Sequence, residues 1–167
     1  MEIEKCEFNL KLFMKAKIIH DTRPHEAMAL LNMMEDRECV LMEKINCLMI
    51  LHQWRAALDV ARDLDKSKML DFDLAKVHFQ KSKALRELHV MEFQLPGPEH
   101  YAKARHFLRA AITNADKAAK LNGILHNEYK HLLEGLKMDY RFLYGIACDS
   151  DVSSRKCSTE TFRLQLT

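Results

Sequence analysis

Nine histidines and five cysteines are the residues of this 167-residue chain best suited to chemistry, and metal ligation is the chemistry they would do. Their spacing argues against it. A helix points two imidazoles at one ion when they stand at i and i+4, whereas His100 and His106 are six apart and His126 and His131 five apart. Cys6, Cys39, Cys47, Cys148 and Cys157 are odd in number and show no tight pairing. Cys39 and Cys47 fall in apolar helical stretches and read as small buried hydrophobes. No glycine-rich phosphate loop, nucleophile elbow or catalytic pair of carboxylates is present. The expectation is a non-enzyme that needs no cofactor and no metal. Recognition is the chemistry that remains. Lys103, Arg105, Arg109, Lys117 and Lys120 make one helix basic outside an alanine-rich stripe, which is the footprint an RNA-associated module would use. The formal net charge is only +2 and interleaved aromatics are sparse, so a solvated helix face is the better reading.

Helices must position whatever does the recognising. Four glycines, three prolines and 30% charged residues suit a mostly helical chain. Seven helices are predicted: about 4–20, 24–35, 37–51, 54–64, 71–94, 98–121 and 124–147. Pro24 and Pro98 suit the first turns of their helices. Pro96 and Pro98 together end the fifth helix at Leu95-Pro-Gly-Pro98. The most telling stretch runs from Leu51 to Leu64. It makes a tight turn at His52-Gln53, and then Trp54, Ala57, Leu58, Ala61 and Leu64 fall on one helical face, with small residues that admit a close neighbour. A matching stripe runs through Tyr101, Ala104, Leu108, Ala111, Ile112, Ala115 and Ala118, and Asn122-Gly123 supplies its stop. The last helix carries Leu125, Tyr129, Leu132, Leu136, Tyr140 and Leu143 on one side. Short turns make successive helices antiparallel neighbours.

A helix, a very short turn and a second helix with a small-residue seam, met more than once, resembles a tetratricopeptide repeat array. Val40 to Asp65 matches one repeat, with Leu41, Cys47, Leu48, Leu51, Trp54, Ala57 and Leu58 at packing positions. Lys76 to Ala84 resembles the first helix of the next repeat, and Pro24 to Leu31 the second helix of a preceding, more degenerate one. The closing helix, Glu128-Tyr-Lys through Asp139-Tyr-Arg-Phe-Leu-Tyr144, is similar to the extension that ends the array in immunophilin-type co-chaperones. The resemblance covers roughly residues 9–146. It implies an all-α, right-handed stack of three antiparallel pairs with a C-terminal capping helix, over residues 1–147. The segment 148–167, rich in Ser, Thr and Asp and without a helical stripe, is expected to be a flexible tail.

Many co-chaperones of that kind grip the acidic tail of a heat-shock chaperone with a two-carboxylate clamp. Of the clamp positions, only Lys76 carries the expected type. Gln80 stands for an Arg, Glu43 for an Asn, and Leu12 and Ala16 for a Lys and an Asn. Glu43 would repel a carboxylate, and each lost charge-assisted donor costs about 1.5–3 kcal/mol, so the clamp is expected to be lost. The resemblance further implies a concave groove lined by Met42, Glu43, Asn46 and Met49 from one repeat and Lys76, Phe79, Gln80 and Lys83 from the next. Met42, Met49 and Phe79 would be apolar anchors, and Lys76 and Lys83 would meet polar or acidic partner groups. The expected partner is a protein or peptide. The alternatives to it are RNA, met by the basic face of the sixth helix, and a second copy of the chain, docked through the apolar 90–98 hairpin. With no run of about 18 apolar residues and no secretory signal pattern, no membrane partner is expected, and a cytoplasmic setting suits the unpaired cysteines.

Overall fold

The structure, a computed structural model, describes residues 2–64, 69–121 and 126–145. Among them are seven helices and no strand: α1 (Glu2–Ile19), α2 (Pro24–Asn32), α3 (Glu38–Ile50), α4 (Trp54–Leu64), α5 (Asp71–Phe93), α6 (Pro98–Lys120) and α7 (His126–Tyr144). The helix count and order match the sequence expectation. Three details differ. The last helix ends at Tyr144 rather than near 147, because Gly145 takes a left-handed conformation (φ 64°) and returns its N–H to the Arg141 carbonyl at 2.9 Å. Cys39 is exposed rather than buried, since it sits in the first turn of α3. Tyr101, placed on the core stripe of α6, is 43% exposed. The Asn122-Gly123 stop and the 148–167 tail lie outside the described residues.

The turn between α3 and α4 shows how a tight reversal is made without glycine. His52 adopts φ 57°, and the N–H groups of His52 and Gln53 reach back to the carbonyls of Met49 (3.2 Å) and Leu48 (2.9 Å). This is the hydrogen-bond pattern of a helix terminated by one left-handed residue. The His52 ring then meets Trp54 edge-on, with centroids 5.0 Å apart.

Each helix packs on the next in sequence, and α3 also packs on α5. Buried side chains form a series of clusters along the chain. Ala16, Ala27, Leu31, Val40 and Cys47 join α1, α2 and α3, while Ile45, Ala61, Leu64 and Val77 join α3, α4 and α5. Leu85, Leu108, Ala111, Ile112, Leu136 and Tyr140 join α5, α6 and α7. The small residues predicted at 57, 61, 104, 111, 115 and 118 are all buried.

The long α5–α6 hairpin is tied by polar groups inside its seam. His78 Nδ1 donates to Asn114 Oδ1 (3.0 Å), Ser82 Oγ to the Ala111 carbonyl (2.8 Å), and His89 Nδ1 to the Ala104 carbonyl (3.0 Å). As the α5 partner advances from 78 to 89, the α6 partner retreats from 114 to 104, which is antiparallel register written in hydrogen bonds. Burial holds the His89 imidazole below its usual range, against the pull of the Ala104 carbonyl. Near the tip, His100 Nδ1 bonds Glu92 Oε2 at 2.7 Å and holds that carboxyl below its ordinary range. Among the described residues no helix is long and apolar enough to cross a membrane.

Candidate functional site

The packing of the helices leaves a groove of about 560 Å³ whose fifteen lining residues all come from α1, α3, α5 and α7. The even-numbered helices contribute none. Seven of the eight residues expected on a groove wall, Met42, Glu43, Asn46, Lys76, Phe79, Gln80 and Lys83, line it. Met49 does not. It lines an adjoining hollow of about 470 Å³ that shares Asn46, Gln80 and Lys83 with the first. Sequence reading missed the end walls: Phe13 and Lys17 of α1, Asp73 of α5, and Glu128 and Tyr129 of α7.

The floor carries a polar ladder between α3 and α5. Asn46 Nδ2 donates to Glu43 Oε2 at 3.4 Å, and Gln80 Nε2 donates to Asn46 Oδ1, also at 3.4 Å. Both bonds are long. Glu43, expected on the groove wall as a charge that would repel a carboxylate, is 5% exposed. His20 Nδ1 lies 2.9 Å from Glu43 Oε1, an ion pair when the imidazole is protonated, and it also meets the Lys17 carbonyl at 2.7 Å. By hydrogen-bond geometry Glu43 Oε1, Gln80 Oε1 and the Tyr129 hydroxyl each lack a partner among the described residues, so the His20 ring is the one group beside Glu43 Oε1. The fourth such buried atom among the described residues, the Tyr144 hydroxyl, lies elsewhere, in the aromatic cluster of Tyr101, Tyr140 and Tyr144.

Tyr129 is fully buried, with its ring 4.8 Å from that of Phe79. Burial, together with the neighbouring Glu128 carboxylate, holds its hydroxyl above the usual range, so it stays a neutral O–H. The two expected cationic residues are already engaged with aromatic faces. Lys76 Nζ stands 3.8 Å from the Phe72 ring centroid, and Lys83 Nζ stands 5.3 Å from that of Phe79. Beneath the groove, burial and the Glu43 carboxylate push the Cys47 thiol up to about 11.

The other candidate surfaces look different. Of the basic row on α6, Arg105 Nε donates to the Tyr140 hydroxyl at 2.9 Å and Lys120 pairs with Asp116 at 2.7 Å. Lys103, Arg109 and Lys117 are exposed. At the hairpin tip, Val90, Met91, Phe93 and Leu95 are 41–56% exposed. No three His, Cys, Asp or Glu side chains converge as metal ligands among the described residues. A scan against protein-family models, a search of curated proteins and a search of solved structures each found nothing that matches this chain.

Proposed function

We propose that this chain is a non-catalytic protein-interaction module that takes a segment of a partner protein into the groove between its odd-numbered helices. The fold reading that goes with it is a right-handed tetratricopeptide-like stack: α1–α2, α3–α4 and α5–α6 as three antiparallel pairs, with α7 covering the apolar face the last pair would leave open. Support for the stack comes from the order of helix contacts and from a groove lined by alternate helices only.

One observation carries the binding proposal. Three of the four buried polar atoms that lack a hydrogen-bond partner among the described residues belong to side chains lining this one groove. Native interiors satisfy nearly all such atoms, so their clustering on one groove wall supports a surface whose polar groups are completed by a bound partner. Met42 and Phe79 supply apolar contact beside them. A diverged co-chaperone-like adaptor, with its acidic-tail clamp lost, is the role this chemistry suits. Glu43 is a buried carboxylate where the clamp needs an amide, and Lys76 is folded onto Phe72.

The test is selection of binders from a displayed library of random twelve-residue peptides, followed by mapping of amide shifts in the labelled protein. Binders that shift Met42, Asn46, Phe79 and Gln80 support the reading. Binders that map to the 90–98 tip or to the α6 basic face, or a failure to select any, refute it.

A second reading rests on the exposed apolar tip: self-association through Val90, Met91, Phe93 and Leu95. Sedimentation velocity decides it. A dimer that Phe93→Glu returns to a monomer supports it, and a monomer at high concentration ends it.

A further inference from the structure

We infer, resting on the groove reading above, that the groove takes a cationic side chain, an arginine or lysine of the bound segment, onto Glu43, Gln80 and Tyr129. The groove as a whole is charge-balanced, with Lys17, Lys76 and Lys83 against Glu43, Asp73 and Glu128. Position breaks that balance. Lys17 and Lys83 are exposed and Lys76 lies half-buried on the Phe72 ring, while Glu43 is 5% exposed. Charge in water is screened within about 8–10 Å, and charge in the interior is not, so a ligand that reaches the floor meets the carboxylate and not the ammonium groups.

The hydrogen-bond inventory points the same way. Among the described residues Gln80 Oε1 is an acceptor with no hydrogen-bond donor. Glu43 Oε1 has only the part-exposed His20 ring beside it at 2.9 Å, a partner a bound cation would displace or join. The Tyr129 hydroxyl can also accept. The surplus on this wall is in acceptors, and a guanidinium or ammonium is the side-chain group that brings donors and positive charge together. The long 3.4 Å bonds of the Glu43–Asn46–Gln80 ladder can be exchanged for shorter charge-assisted ones at little loss. The Phe79 and Tyr129 rings, 4.8 Å apart, give the cation's methylene stem or planar face a surface to lie on. An acidic tail would instead set carboxylate against carboxylate.

Four pools of acetylated, amidated twelve-residue peptides, random except for a central Arg, Lys, norleucine or Glu, are titrated by fluorescence anisotropy against the full chain and its Glu43→Gln variant. Groove amide shifts are followed in parallel. Glu43→Gln keeps the side chain's shape and a carbonyl acceptor, and circular dichroism checks that it is folded. The expected result is that Arg or Lys pools bind the wild type about tenfold tighter than norleucine, with Glu weakest, and that Glu43→Gln erases the cation preference. Gln80→Met, which leaves the carboxylate in place, should weaken the preference without abolishing it. Equal binding of all pools at the groove, a Glu pool that binds best, or a cation preference unchanged in Glu43→Gln overturns the inference while leaving the groove reading intact. If no pool shifts groove signals, the groove reading itself falls. Separate Arg and Lys arms tell planar recognition from point-charge recognition.

Discussion

Replacing Glu43 by methionine should make the folded protein more stable, which is the reverse of the usual result for a buried residue. The wild-type carboxylate is 5% exposed, and one of its oxygens accepts no hydrogen bond and has only the His20 ring beside it at 2.9 Å. An orphaned buried acceptor costs about 1–3 kcal/mol, and more when it is charged. Against that stands one 3.4 Å bond from Asn46 to the other oxygen, a long contact at the low end of the net contribution, about 0.5 kcal/mol. Asn46 keeps its carbonyl bond from Gln80 in the variant. Methionine matches glutamate in length and in helix propensity, so neither cavity nor backbone effects intrude. The balance is a gain of about 1 kcal/mol, or roughly 2–4 °C in melting temperature for a chain of this size. Urea unfolding followed by circular dichroism reads it directly. A loss of about 1 kcal/mol or more would mean that the carboxylate is well satisfied, with His20, 2.9 Å from Oε1, the nearest group to blame. The unfilled acceptor behind the proposed ligand chemistry would then not exist.

The same unfolding assay tests the helix seam: Ser82→Ala should cost about 1 kcal/mol by losing the 2.8 Å bond to Ala111, and Ser82→Leu about 1–3 kcal/mol by overpacking a fully buried position. His52→Gly should stabilise by about 0.5–1 kcal/mol, because His52 holds φ 57° at a turn that favours glycine; an equal or lower urea midpoint would contradict the strain. A thiol reagent at pH 8 should label exposed Cys39 quickly and leave Cys47, buried and pushed up to about 11, untouched until the protein unfolds; mass spectrometry of timed digests checks the order. Acid should weaken the fold in two stages. Unfolding lets the buried His89 take up a proton near its ordinary value of 6.5, so stability falls as pH drops below about that value. Glu92, held low by His100, adds stability above 4.5 that is lost as pH falls through and below it. His89→Gln should flatten the upper stage and leave the lower one.

Helix ends were the most legible part of this fold, because single residues set them. Pro24 and Pro98 occupy the first positions of α2 and α6, and Trp54 opens α4 as its stripe required. The alanines at 57, 61, 104, 111, 115 and 118 are buried because small residues recurring on one face have no other use in a helix pair. Misreadings came where one residue answered to two demands. Gly145 ended α7 three residues early through its left-handed backbone. Cys39 shares the apolar run of α3 but stands in its first turn, before the neighbouring helix covers it.

The groove was half legible, and α3 shows why. A helix at the edge of a fold buries one face, whereas α3 packs against α2, α4 and α5 and buries more than one. Val40, Glu43 and Cys47 lie at i, i+3 and i+7 on one face, and Ile45 and Leu48 lie on another. A polar residue inside that first stripe is where a one-face reading assigns solvent and the structure assigns burial. The same rule hid His78 and His89, polar residues at i and i+11 that sit in the α5–α6 seam on either side of Ser82, a small residue whose close packing was legible. Phe13 and Tyr129 escaped for a different reason: they are more than a hundred residues apart and line one groove only because four helices border it. Periodicity tells which residues share a face. It cannot tell which faces meet, and in this chain the meeting of α3 and α5 is what sets Glu43, 5% exposed, beside Asn46 and Gln80.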